Sequence, residues 1–297
     1  MGSWDDLRFF LEIARAGSLS AAGRSLGVNH STVGRRLDAL EADLGARLFR
    51  RSSSGFTLTS AGTTLLQDVE AVETAVRTGH RRVRGSDTRL QGVLRLATTE
   101  VLGRTFVSPV LEQLQRDHPE LDVVLLASNA FVDLERGDAD LAVRIAPTST
   151  PSLVTKHFGE ISFGLYASER YLAQRGVPSP TQGLAGHTVL AYTGVLGASE
   201  QGAWLEEQLE GARVSVRSDS IGVLFDAAGA GRGVTLLPDP LAESDSRLRR
   251  LVWSEPAPVR GTWFVFHPDQ RNNARLRAAM EAMIARAGQW VLNHATP

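Results

Sequence analysis

No cysteine occurs among the 297 residues. That absence removes disulfide scaffolds, thiolate metal sites and cysteine nucleophiles together. Lysine is nearly missing as well: Lys156 is the only one, a mark of base composition rather than of function. No apolar run approaches the length of a membrane span. The start, with Asp5, Asp6, Arg8 and Glu12, lacks the apolar stretch of a secretory signal. A soluble cytoplasmic protein with no membrane contact is expected. The motifs of several enzyme classes are missing too: there is no phosphate-binding P-loop, no His-Glu-x-x-His and no Gly-x-Ser-x-Gly. The seven histidines show no metal-ligand spacing, so neither a metal nor a catalytic residue is assigned. Gly229-Ala230-Gly231-Arg232-Gly233 has the wrong last spacing for a dinucleotide fingerprint. It also follows a helical pattern and precedes a strand-like one, which reads as a helix-ending turn. No enzymatic activity and no cofactor are expected.

What is present is an ordinary globular composition, 42% apolar and 22% charged, over a length that allows two or three domains. The net charge of −1 decides nothing about partners, but its distribution is informative. Residues 1–60 hold eight arginines against six acids, and four of the eight fall in the pairs Arg35-Arg36 and Arg50-Arg51. Paired arginines on a small domain suit phosphates.

Leu7, Phe10, Leu11 and Ala14 recur at helical spacing until Gly17 breaks the pattern. Ser18 then caps a second helix, Leu19 to Leu26, and Gly27 permits a sharp turn. A third helix is predicted from His30 to Leu44, with Val33, Leu37, Leu40 and Leu44 as its buried stripe. At about 100° per residue, Ser31 and Arg35 project away from that stripe. The helix presents its polar end at its N-terminus, the polarity that suits insertion into a major groove. Leu48-Phe49 and Phe56-Thr57-Leu58 bracket a polar hairpin with two arginines at its base, a wing for the phosphate backbone. Together these make an all-α winged helix-turn-helix over residues 1–60. A longer helix follows, to about Arg84, with Leu65, Val69, Val72, Val76 and Val83 in a seam. Dimerisation through that seam (residues 61–88) and packing on its own domain are the two readings.

From Gln91 the texture changes. Strand-like runs (Val93–Ala97, Val123–Leu126, Asp140–Ile145) alternate with helix-like ones (Val107–Asp117, Phe131–Arg136), and a second alternating set runs from Ile161 to Leu237. Alternation predicts parallel α/β sheets in two lobes with a ligand cleft between them. The first lobe is expected to take residues 89–160 and 268–297, and the second 161–267.

Residues 4–66 resemble the DNA-binding domain of the LysR-type transcriptional regulators. The resemblance rests on Phe9-Phe10, Ala16-Gly17-Ser18-Leu19-Ser20-Ala21-Ala22, Leu26-Gly27-Val28, Leu44-Gly45, Leu48-Phe49-Arg50-Arg51 and Leu58-Thr59-Ser60-Ala61-Gly62. It continues more loosely through Gly92-Val93-Leu94-Arg95-Leu96, His118-Pro119, Leu134–Leu141 and Ala228–Pro238. The family implies a two-lobed periplasmic-binding-protein-like effector domain, homodimers or homotetramers, double-stranded DNA as partner and a small-molecule effector of unknown identity. RNA polymerase is a further candidate partner.

By this resemblance His30, Ser31, Thr32, Arg35, Arg36 and Arg51 are the candidate DNA contacts. Helix capping competes as a role for Ser31 or Asn29, and a salt bridge competes for Arg36. Thr98, Thr99, Glu100, Ser128 and Asn129 are the candidate effector contacts, with Arg144 as a candidate partner for a carboxylate. The sequence departs from the family near Gly34, where a serine is usual. Gly34 lowers helix propensity and removes a hydroxyl. An enzyme or transport-type binding protein fused to a DNA-binding module is the rival reading, and it lacks a catalytic pair.

Overall fold

Helix signals in the first sixty residues are read literally by the chain. In the computed structural model, which describes residues 3–52, 55–85, 89–128, 132–180 and 182–294, α1 spans Trp4–Ala16, α2 Leu19–Leu26 and α3 His30–Leu44. Ser3, Ser18 and Asn29 cap their N-termini through side-chain oxygens. Gly17 and Gly27, at φ 68° and 67°, close the first two in the left-handed conformation. Strands β1 (Phe49–Ser52) and β2 (Gly55–Leu58) pair antiparallel as the wing, and α4 (Ser60–Gly85) follows. Phe10, Ile13, Val33, Leu37, Leu40, Leu48 and Val69 form the core of this part. Residues Met1–Arg81 are one compact unit and Arg82–Pro297 another.

Two details differ from expectation. Leu44, placed in the buried stripe, is 46% exposed, and Glu41 is buried instead. The reason is local: the Glu41 carboxylate accepts the Leu48 and Phe49 N–H groups at 2.8 and 3.3 Å, so the chain entering the wing lies over Glu41. The α4 seam also divides. Val69 is buried in its own unit, whereas Val72, Val76 and Val83 are exposed in the single chain.

An ion-pair cluster ties α1 to α4. Glu73 accepts from Arg15 at 3.2 and 2.7 Å and from Arg77 at 2.8 Å. The Arg15 hydrogen bonds, with Arg77 adding to them, hold the Glu73 carboxyl at about 2, against an unperturbed 4.5. A depressed carboxylate contributes stability above its unfolded pKa and loses it as pH falls through the folded one. In denaturant titrations, wild type is therefore expected to exceed Glu73→Gln by most above pH 4.5, with the gap closing towards pH 2. A gap that is constant with pH would contradict this linkage.

The larger unit opens with β3 (Gly92–Thr98), α5 (Glu100–Leu102), a π turn at Gly103–Val107, α6 (Ser108–Asp117), β4 (Leu121–Ala127), β5 (Leu141–Arg144) and β6 (Val154–Ile161). The chain then crosses at Ser162 into β7 (Phe163–Ser168), α7 (Glu169–Arg175), β8 (Thr188–Tyr192), α8 (Gly194–Gly197), α9 (Glu200–Glu207), β9 (Arg213–Ser218), α10 (Ile221–Gly229), β10 (Thr235–Pro238), α11 (Asp239–Ala242) and β11 (Leu248–Arg250). It returns through residues 251–259 to β12 (Arg260–Phe266) and α12 (Ala274–His294). The first sheet has the order β4-β3-β5-β12-β6. The second lobe carries the antiparallel β10-β7-β11 and the parallel pair β8-β9, with Val189 of β8 also bridged to Val234, the residue before β10.

These pairings correct three expectations. Thr262–Phe266 belongs to the first lobe, not the second, because β12 pairs antiparallel with both β5 and β6. The first sheet is mixed and β10-β7-β11 is antiparallel, since returning strands enter from the opposite end, while the β8-β9 pair is parallel as expected. Residues 134–137 form turns rather than a helix, with Phe131 outside the described residues.

Candidate functional site

At the start of α3 the exposed residues are His30, Ser31 and Arg35, with Thr32 half-buried. Asn29 Oδ1 accepts the Ser31 N–H at 3.1 Å and the Ser31 hydroxyl at 3.3 Å. The capping reading of Asn29 is thus realised, and it presets the Ser31 hydroxyl on the outer face. Arg35 forms no ion pair with the described residues, and neither does Arg50 on the wing. Arg36 is placed differently. Its guanidinium bonds Asp6 at 3.0 Å and lies 5.8 Å over the Phe9 ring, clamping α3 to α1. Asp6 also accepts the Ser3 N–H in the α1 capping box, so one carboxylate serves two elements. Arg51 lies 5.3 Å over Phe56 and 3.8 Å from Asp38, with its side chain 63% exposed. The outer face of α3 and the base of the wing are therefore lined by cations with exposed heads.

Gly34 sits in the middle of this helix without steric need. A Cβ built there would meet only Leu19 Cδ1 at 3.5 Å, an ordinary contact. Gly34→Ala is therefore expected to stabilise the N-terminal unit by about 0.8–1.0 kcal/mol, read as a raised denaturation midpoint. A lowered midpoint would show that the backbone here needs glycine.

In the larger unit a cleft of about 690 Å³ separates the two lobes. Its walls come from both: Thr99, Asp133, Glu135, Arg144 and Arg260 from the first, and Val195, Leu196, Ser199, Gln201 and Asp219 from the second. Volume and mixed lining are those of a small-molecule site. Burial pulls the Arg144 pKa below the usual arginine value.

Comparison with known proteins decides what these two units are. Residues 4–63 match the family described as bacterial regulatory helix-turn-helix protein, lysR family, and residues 87–288 match the LysR substrate binding domain. The chain belongs to the LysR-type transcriptional regulators.

This regulator is 28% identical over 288 residues to the probable HTH-type transcriptional regulator LtrA of Klebsiella pneumoniae, covering 93% of this chain and 92% of that one. It is 26% identical over 297 residues to the HTH-type transcriptional regulator CrgA of Neisseria meningitidis, covering 96% and 97%. In fold it is similar to the full-length Vibrio cholerae virulence activator AphB, with a TM-score of 0.65, 22% identity and 95% and 99% coverage. The DNA-binding and effector-binding domains of the LysR-type regulators are thus both present.

Of the effector candidates in this LysR-type chain, Thr99 and Arg144 line the cleft. Thr98, Glu100 and Ser128 do not. Thr98 is buried behind the wall, its carbonyl accepting the Ser128 N–H at 2.9 Å. Glu100 turns instead to the second lobe, where it accepts the Ser220 hydroxyl at 3.5 Å at the start of α10. Asn129 lies outside the described residues. Gln201, Asp219 and Arg260 were missed, because nothing in their local sequence marks them; only the long-range return of β12, the start of α9 and the turn between β9 and α10 bring them to one cleft.

Proposed function

We propose that this regulator binds a partly palindromic operator as a homodimer or homotetramer in the cytoplasm. The supporting observation is the polar face at the start of α3, with His30, Ser31 and Arg35 exposed and Thr32 half-buried, beside a wing that carries Arg50 and Arg51. Arg35 is the principal base or phosphate contact, and His30, Ser31 and Thr32 flank it. Arg51 follows the phosphate backbone, and Arg36 acts first as the clamp on Asp6 that fixes the angle of α3. The exposed valines of α4, Val72, Val76 and Val83, suit a second copy of the chain. A small effector in the interlobe cleft, touching Thr99 and Arg144, alters the arrangement of the recognition helices and hence the access of RNA polymerase. The chain acts by binding and not by catalysis.

Selection of genomic fragments by purified protein, in parallel with Arg35→Ala, tests this. Enrichment of a two-half-site sequence that disappears in the variant is the expected result. Equal, sequence-independent retention by both proteins would overturn it.

A further inference from the structure

Arg260 is both a wall of the cleft and the partner of a carboxylate that crosses between the lobes. Its guanidinium, on β12, pairs with Glu200 at the start of α9. The two ends of this pair are unequally exposed, 19% for the Arg260 side chain and 65% for that of Glu200. The cation is thus largely withdrawn from water, while the anion that neutralises it hangs in solvent and does not line the cleft. An exposed carboxylate is a weak hold. An anion arriving from inside the cleft would meet the same guanidinium and gain apolar contact with Leu153, Val195, Leu196 and Val265 as well. The carboxylates on the wall do not compete for that role. Asp133 is paired with Arg136 and accepts its N–H, Glu135 accepts the Ser152 hydroxyl, and Asp219 has a partner too.

Next to Glu200 in sequence, the cleft lining holds an unsatisfied group. Gln201 is only 5% exposed, it lines the cleft, and its Oε1 has no hydrogen-bond partner among the described residues. A buried carbonyl oxygen left without a donor is costly, so a ligand that brings an O–H or N–H is favoured there. A carboxylate at Arg260 and a donor at Gln201 would both meet the lining of the same cleft.

We infer that the effector is a small organic acid with an apolar body and a hydroxyl or amino group, and that it displaces Glu200 from Arg260. Glu200 is the intramolecular stand-in that occupies the anchor until the effector arrives. This rests on the interlobe cleft being the effector site.

Isothermal titration of the full-length protein tests it with two hydroxy acids, 2-hydroxybenzoate and 2-hydroxyisovalerate, with benzoate, and with the neutral 2-hydroxybenzamide. At least one hydroxy acid is expected to bind, and the neutral amide to bind more weakly. Glu200→Gln removes the competitor and is expected to tighten that acid about threefold or more. Arg260→Gln is expected to weaken it about tenfold or more. Gln201→Leu is expected to erase the preference for 2-hydroxybenzoate over benzoate while benzoate affinity holds. Thermal unfolding shows that each variant is folded. No binding by either hydroxy acid, equal binding of the neutral amide, or no gain in Glu200→Gln would each overturn the inference. Operator binding, followed separately by fluorescence anisotropy, reports on the regulator reading alone, so the two failures are distinguishable.

Discussion

Arg35→Ala is expected to weaken operator binding by about 10- to 100-fold while leaving the thermal midpoint of the protein unchanged. Arg35 is exposed on the outer face of α3 and forms no ion pair with the described residues, so its removal opens no cavity and breaks no clamp. Its neighbour gives the contrast. Arg36→Ala takes the guanidinium from Asp6 and from the face of Phe9, and is expected to cost about 1 kcal/mol of stability, with a smaller loss of affinity. The salt dependence separates the two ways in which Arg35 can hold DNA. If Arg35 neutralises a phosphate, the variant lowers the slope of log affinity against log salt by about one. If it reads a base edge, the variant relaxes sequence preference and leaves the slope nearly intact. If Arg35→Ala binds the operator as wild type does, α3 is not the reading helix.

Gly62→Ala is expected to be the most damaging small substitution in the N-terminal unit. A Cβ at Gly62 would stand 2.2 Å from the Leu48 carbonyl oxygen. That oxygen belongs to backbone already fixed from three sides. Thr59 donates its N–H to it at 2.9 Å, the Thr59 hydroxyl donates to the Arg47 carbonyl at 2.7 Å, and the Leu48 N–H is held by Glu41. Relief requires α4 to lift off the start of the wing, which also pulls Thr59 Oγ1 from the Gly62 N–H it accepts at 3.0 Å. The cost is expected at about 3 kcal/mol or more, the upper end for forced overpacking. Circular dichroism melts should show an early transition for residues 1–81 and an unshifted one for the remainder, with operator binding lost after the first. A single melt that matches wild type would mean that the backbone yields here at no cost.

The N-terminal helices were legible residue by residue because their signals are local. Ser18 and Asn29 cap, Gly17 and Gly27 stop, and the predicted Leu19–Leu26 and His30–Leu44 are the observed helices. Position on the outer face of α3 was also readable from 3.6-residue periodicity. The placement of Arg36 was not, since its partner Asp6 lies thirty residues earlier and on another helix. The same limit applied to the effector domain. Alternating runs revealed two lobes, but the strand that returns last, β12, joins the first sheet through partners about a hundred residues away or more. Arg260 and Gln201 owe their place at the cleft to that return and to the start of α9. Glu41 was hidden for another reason. A glutamate in a helix reads as solvated surface, and only the chain folding back over it makes it the acceptor for the wing.

The crossing at Ser162 and the return at Arg260 have a mechanical consequence. Ile161 and Arg260 are register partners on adjacent strands, so the chain enters and leaves the second lobe at one place. A body tethered at a single place swings rather than slides. Residues 162–259 then behave as an arm with a fulcrum at the ends of β6 and β12. Arg260 stands at that fulcrum, where the arm is shortest. A change of the anion held there, of no more than a side chain's width, is carried outward in proportion to distance and is largest at the far rim of the lobe.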